Sequence, residues 1–207
     1  MARSSKHARQ ERQARERQEK RTAARDELIR GALTTLSDLG YAQTSLRDIA
    51  EQTGRSVGLV HYYFDDKAAL IIACVRLYKT EFVEVMRGWV TPDEPPERLR
   101  ARFVEGLVGT IREDAPVHRL WYDIRSQALF DSRFKEPVQA IEASLVDAIG
   151  AALERCGDPT QDAKLAYLGL DGAFRYALAG FLYGDEGALD ALQEHAHAIL
   201  GEGVRET

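Results

Sequence analysis

Cysteine, proline and long apolar runs are all scarce in this 207-residue sequence. The two cysteines, Cys74 and Cys156, lie far apart and have no metal-ligand neighbours. Each is expected as a buried thiol, so a disulfide scaffold is excluded and no oxidising compartment is implied. With six prolines, few β-branched runs, and Ala, Leu, Glu and Arg recurring throughout, little opposes helix. No apolar stretch approaches the ~18 residues of a bilayer-crossing helix, and the N-terminus lacks the short apolar core of a signal peptide. A cytoplasmic protein without a membrane partner is expected. Also missing are a glycine-rich phosphate loop after a strand, a nucleophile elbow, and a His/Cys cluster at metal spacing. His195 and His197, two apart, face different sides of a helix. The expectation is therefore no enzyme, no cofactor and no metal.

Excess positive charge is lacking too, since the chain nets -5. The deficit is uneven. Residues 1–25 hold nine Lys/Arg against three Glu, a net of +6, which leaves -11 on the other 182 residues. A basic arm on an acidic body lets one end approach phosphate while the other stays away.

Hydrophobic periodicity organises the rest. Residues 1–20 show no apolar period and are expected as disordered or as a frayed extension of the first helix. From Asp26, Ile29, Ala32, Leu33, Leu36 and Leu39 share a helical face that ends at Gly40. Ser45-Leu46-Arg47-Asp48 has capping-box spacing and opens a short helix, which Thr53-Gly54 breaks. Ser56 caps a second short helix through Phe64, with Val57, Val60 and Phe64 inward and His61, Tyr62 and Tyr63 around the remainder. Asp65-Asp66 precedes a longer helix from Lys67. After a break at Thr91–Pro96, helical patterns follow near Pro96–Glu113, Ala115–Phe130, Ser132–Cys156, Thr160–Tyr183 and Glu186–Leu200, with Gly157-Asp158-Pro159 and Gly184-Asp185 as punctuation.

The segment 45–64 carries the sharpest signal. Ala50, four residues before Gly54, is small enough for a close helix crossing. Gly54 can turn the chain through positive φ, and Val60 packs the crossing from the other side. Such a crossing leaves the outer face of the second helix free to enter a major groove.

With these residues in hand, the run Gly40-Tyr41, Thr44–Ala50, Thr53–Ser56, Gly58, His61–Phe64 and Lys67 is similar to the signature of the TetR family of regulators, over about residues 25–75. Trp121, the Ala128–Phe134 segment and Leu170-Asp171-Gly172 resemble that family's diverged C-terminal domain. The wording at His61–Phe64 resembles its choline-responsive branch, from which no ligand is carried over. The resemblance implies an all-α fold of about nine helices: a three-helix helix-turn-helix domain and an antiparallel helical bundle, assembled as a two-fold dimer. The expected domains are a basic, partly disordered arm (1–24), a DNA-binding domain (25–70), and a ligand-binding and dimerisation domain (71–207).

It also implies roles by position. Thr44 and Ser45 would anchor phosphate, and Ser56, Val57, Gly58, Leu59, His61 and Tyr62 would form the recognition face. His61 and Tyr62 would make polar contacts, and Leu59 would meet a thymine methyl. Tyr63 and Lys67 would touch backbone phosphate, with Arg55 able to join them. Val57 stands where relatives carry a polar or basic residue, and His61 where they carry Tyr. Arginines of the arm would enter the minor groove.

In the body, Thr160–Tyr183 is apolar nearly all round, and the last helix adds a stripe through Leu189, Leu192, Ala196 and Ile199/Leu200. These two helices are expected to form the homodimer interface, with Gly169, Gly172 and Gly180 permitting close approach. The ligand pocket that the resemblance implies draws on Phe82, Met86, Trp89, Phe103, Leu107, Trp121, Tyr122, Ile124, Phe130 and Phe174, oriented by His118, Arg125, Gln127 and Asp171. The expected function is a repressor that binds a palindromic operator and is released by an unknown small molecule as the Lys67–Arg87 helix swings. A sequence-nonspecific architectural DNA binder, or an activator of the same family, is the alternative.

Overall fold

The computed structural model describes residues 2–91, 94–156 and 161–201, with side chains from residue 12 onward. Residues 92 and 93 of the expected break, and Gly157-Asp158-Pro159 with Thr160, lie outside the described residues. Every regular element among those described is helical: eight α-helices and one 3-10 turn. The chain divides into two compact units, Met1–Cys74 and Val75–Thr207.

The first unit is built on α1 (Ala2–Leu39), α2 (Leu46–Gln52), α3 (Val57–Tyr63) and the start of α4 (Lys67–Gly88). Helix α1 begins at Ala2, so of the two expectations for residues 1–20 it is the extension of the first helix that is found. Its polar N-terminal stretch has no apolar face, but ion pairs four apart, Arg12–Glu16 at 3.5 Å and Arg15–Glu19 at 2.9 Å, suit a helical backbone. Leu28, Ile29, Ala32 and Leu36 are buried, whereas Leu39, expected on the same face, is 49% exposed at the helix end. The chain leaves α1 through Gly40 at φ 81°.

The capping box of α2 is complete. The Ser45 hydroxyl accepts from the Asp48 backbone N–H at 3.2 Å, and the Asp48 carboxylate accepts from the Ser45 N–H at 2.7 Å. Ser56 caps α3 through the Leu59 N–H at 3.1 Å, and Asp66 caps α4 through the Ala69 N–H at 2.8 Å. Between α2 and α3, Gly54 takes φ 63°, and Ala50 and Val60 are almost wholly buried. Gly31 of α1 adds a close approach: a Cβ there would stand 2.6 Å from the Thr53 side chain. Cys74 is buried with its thiol on the Ile29 carbonyl at 3.5 Å, and burial pushes that thiol up to about 12. Cys156 is likewise free and buried.

The second unit takes the remainder of α4 and adds α5 (Pro96–Gln127), a 3-10 turn (Ser132–Phe134), α6 (Lys135–Arg155), α7 (Ala163–Leu182) and α8 (Ala188–Ile199). The two expected helices at Pro96–Glu113 and Ala115–Phe130 meet where expected: within α5, Asp114 leaves helical geometry at φ -126°, ψ 21° and kinks the helix into two segments. Pro116 lacks an N–H, and its ring crowds the carbonyl one turn back, which accounts for the kink. Helix α7 packs on α5, α6 and α8. Two of the three α7 glycines expected to permit close helix approach do so against α8. A Cβ on Gly180 would approach Ala188 to 2.8 Å, and one on Gly169 would approach Ile199 to 3.2 Å. Gly172 faces open space. The α8 stripe of Leu189, Leu192, Ala196 and Leu200 is buried within its own subunit, against the expectation that it faces a partner. No described helix is long and apolar enough to cross a membrane.

Candidate nucleic-acid interface and effector cavity

In the first unit, α3 presents its outer side. Val60 and Phe64 anchor it inward, while Ser56, Val57, Gly58, His61 and Tyr62 are exposed and Leu59 and Tyr63 are half-buried. Val57, expected inward in the periodic pattern, is 37% exposed and belongs to this outer face. Tyr62 is 61% exposed, with its ring edge-on to Tyr63 at 5.0 Å between centroids. The Arg21 guanidinium lies over the Tyr62 ring at 5.2 Å, and that of Arg25 lies over Phe64 at 5.0 Å. Helix α1 thus delivers Arg21 to the side of α3 that a groove-reading helix would use, while Arg25 sits over its inward anchor.

Three expected phosphate contacts have other work. Thr44 is 2% exposed and donates its hydroxyl to the Gly40 carbonyl at 2.8 Å, closing the turn behind α1. Arg55 pairs with Glu27 of α1 at 2.8 Å. Lys67 donates its ammonium to the Tyr41 carbonyl and sits over the Tyr41 ring at 4.4 Å. Ser45 is exposed, but its hydroxyl serves the capping box and donates to Asp48. Of these candidates Thr44 is buried, whereas Ser45 and Arg55 are exposed together with the outward groups of α3.

The second unit encloses a cavity of about 40 Å³ among α4, α5, α6 and α7. Of the expected residues, Phe82, Met86, Leu107, His118, Trp121, Tyr122, Asp171 and Phe174 line it. Others do not. Trp89 lies against Gly106, where a Cβ would stand 2.4 Å from the indole, and edge-on to the fully buried Phe103 at 5.5 Å. Ile124 is core packing, Gln127 is half-buried at the end of α5, and Phe130 is 88% exposed. Arg125 acts from behind the wall: it holds Asp171 at 2.5 Å and Glu142 at 2.7 Å, and Tyr122 donates to Asp171 at 3.0 Å.

Sequence reasoning passed over Lys79, Leu145, Ile149, Tyr167 and Leu170, which complete the lining. Lys79 is 4% exposed, and its ammonium lies 4.6 Å from the Phe82 ring, 5.1 Å from Trp121 and 5.3 Å from Tyr78. Burial pulls this lysine down to about 7, against the opposing pull of Asp171. The Tyr167 hydroxyl is buried with no hydrogen-bond partner. His118 is fully buried, within 3.1 to 3.2 Å of the Tyr78 hydroxyl. Burial and then Lys79 push its basicity far down, so it is neutral. A helix-period apolar count offers no signal for Lys79, because a lone lysine in a helix is ordinarily solvated. Among the described residues, no group of three metal-ligating side chains converges.

Residues 28–74 match the family model described as bacterial regulatory proteins, tetR family. Over 187 residues the chain is 27% identical to the HTH-type transcriptional regulator BetI of Burkholderia ambifaria, covering 87% of this chain and 95% of that protein. A TetR transcription regulator from Haloarcula marismortui superposes with a TM-score of 0.73 at 21% identity, covering 86% of this chain and 97% of that one. A transcriptional regulator from Saccharomonospora viridis, solved in complex with choline, gives a TM-score of 0.71 at 17% identity, covering 86% and 96%. Residues 28–74 thus carry the helix-turn-helix signature of the tetR family model, and the chain as a whole is similar to TetR-type regulators in sequence and in fold.

Proposed function

We propose that the protein is a ligand-released repressor: a homodimer that places two copies of α3 in successive major grooves of a palindromic operator and dissociates when a small molecule occupies the body. The outward face of α3, with Tyr62 exposed beneath Arg21, carries the DNA half of this reading. A two-fold operator needs two heads at fixed spacing. Helix α7 offers the surface for this, because Leu165, Leu168, Tyr176 and Tyr183 form an exposed apolar stripe between 52% and 86% accessible, with Gly172 open beside them. With the α8 stripe used internally, α7 supplies the apolar part of the interface.

Release follows from a population shift. Helix α4 contributes Lys79, Phe82 and Met86 to the cavity wall, and its first residues belong to the DNA-binding unit. A ligand that fits better with α4 displaced favours the state with lower operator affinity. The choline-bound neighbour supports a body of this fold that accepts a small molecule.

A mobility-shift titration against DNA from the gene's own upstream region, with unrelated competitor at fixed salt, tests the reading. A specific complex with two protomers per site is expected. Equal affinity for both DNAs would overturn it in favour of an architectural binder.

A further inference from the structure

We propose that the effector cavity is built for an organic anion, a carboxylate on an apolar body, held by the Lys79 ammonium and the Tyr167 hydroxyl. This deepens the reading of the body as a ligand sensor and rests on it.

The polar groups around the cavity point one way. Its acid, Asp171, is already matched, with Arg125 on one oxygen and the Tyr122 hydroxyl on the other. Arg125 is in turn shared with Glu142 of α6. The imidazole of His118 is neutral and shares its contact with the Tyr78 hydroxyl. The α6 residues of the lining, Leu145 and Ile149, are apolar. What remains is donors: Tyr167, whose buried hydroxyl has no hydrogen-bond partner, and Lys79, whose attracting acid, Asp171, is already held by Arg125 and Tyr122. A buried ammonium without a carboxylate is costly, and buried polar groups are ordinarily satisfied, so such a pair marks a place where a ligand supplies the acceptor.

The same geometry disfavours a quaternary ammonium. Aromatic faces that would cradle one, Phe82, Trp121 and Tyr78, are already covered by the chain's own cation, so a second positive charge would meet repulsion as well as occupied rings. Size is consistent with a head group. About 40 Å³ suits a carboxylate, and Lys79 also borders a groove of about 280 Å³ between α4 and α6, where Val83, Pro137 and Ile141 offer apolar surface beside a charged rim of Arg76, Glu84 and Arg87, the last two paired with each other. An anion held at Lys79 therefore has room for an apolar body beside it.

The test uses the full-length protein at pH 6.5, where Lys79 is largely protonated. Calorimetry and thermal shift are run with acetate, isobutyrate, benzoate and octanoate, with the amide of each, and with choline. At least one carboxylate is expected to bind ten-fold or more tightly than its amide, and choline more weakly than that carboxylate. Lys79→Met should abolish the preference, Lys79→Arg should retain part of it, and Tyr167→Phe should reduce it several-fold. Should Lys79→Met fail to fold, the other two variants still decide. No preference for any carboxylate over its amide, or choline binding as tightly as the best acid, overturns the proposal. The operator complex separates this outcome from the function beneath it. A carboxylate that binds but leaves DNA bound keeps the anion site and overturns ligand release. Release by choline alone keeps ligand release and overturns the anion site.

Discussion

The Thr44 hydroxyl closes a turn from a nearly sealed position, and Tyr62 stands in solvent one helix later, so their variants should fail in opposite ways. Thr44→Val leaves the Gly40 carbonyl without its donor, and should cost about 1 kcal/mol in urea unfolding while operator affinity of the folded protein is kept. A large loss of affinity at unchanged stability would return that hydroxyl to phosphate. Tyr62→Ala should do the reverse: an exposed site away from caps moves stability by less than about 0.5 kcal/mol, while operator affinity falls roughly ten-fold, the ~1.4 kcal/mol expected of one good groove contact. Affinity that does not move would take Tyr62 out of the interface. Lys79 supplies a pH signature. Its folded value of about 7 lies below the ordinary 10.5, so between those two values the unfolded chain binds more protons and stability rises with pH. Lys79→Met removes the penalty. It should be more stable than the parent at pH 6, by on the order of 3–5 kcal/mol, with the gap narrowing through pH 10. A gap that stays constant with pH would mean the lysine is not desolvated.

At the scale of elements, α7 divides its faces. Ala166, Leu170, Phe174 and Leu178 lie inward, and Leu165, Leu168 and Tyr176 lie outward. Leu168→Glu places a charge in the outer stripe without touching the core, so light scattering should find a monomer with unchanged helicity, and a persistent dimer would move the interface off α7. How far such elements were legible depended on the range of the forces behind them. The Ser45–Asp48 box and the Asp66 cap are local hydrogen bonds and can be read from four consecutive residues. The α5 kink could be read from Pro116. The N-terminal reach of α1 could be read only as one of two alternatives, because its support is ion pairing along a polar stretch that leaves no apolar period. The inward turn of the α8 stripe could not be read, since an amphipathic helix shows the same pattern whether it packs on its own subunit or on a partner. The cavity was legible for the residues of α5 and α7 whose aromatic character suits any interior. It was not legible for Lys79, whose burial follows from three rings on two helices, or for Trp89, whose ring lies where Gly106 leaves room.

For the whole molecule, charge and linkage act together. Residues 1–25 carry +6, and Arg21 among them lies over Tyr62 of α3, while the remaining -11 belongs to residues 26–207. Attraction to phosphate is thus concentrated in the N-terminal 25 residues, and operator affinity should fall steeply with salt. If a ligand in the body and DNA at α3 bias the same equilibrium, their coupling is reciprocal: the factor by which effector weakens DNA is the factor by which DNA weakens effector. The size of that shared factor, and its loss when Lys79 is replaced, check the proposed mechanism. With a carboxylate found to bind the free protein, its dissociation constant should be measured again with operator in excess, and the operator's constant with carboxylate in excess. Both should rise by the same factor, between roughly five- and 150-fold for a coupling of about 1–3 kcal/mol. Lys79→Met, which removes the ligand's partner, should bring both factors to one together. A factor for the operator that stays above one in Lys79→Met would mean that the acid acts at a second place, and that the cavity does not control the head.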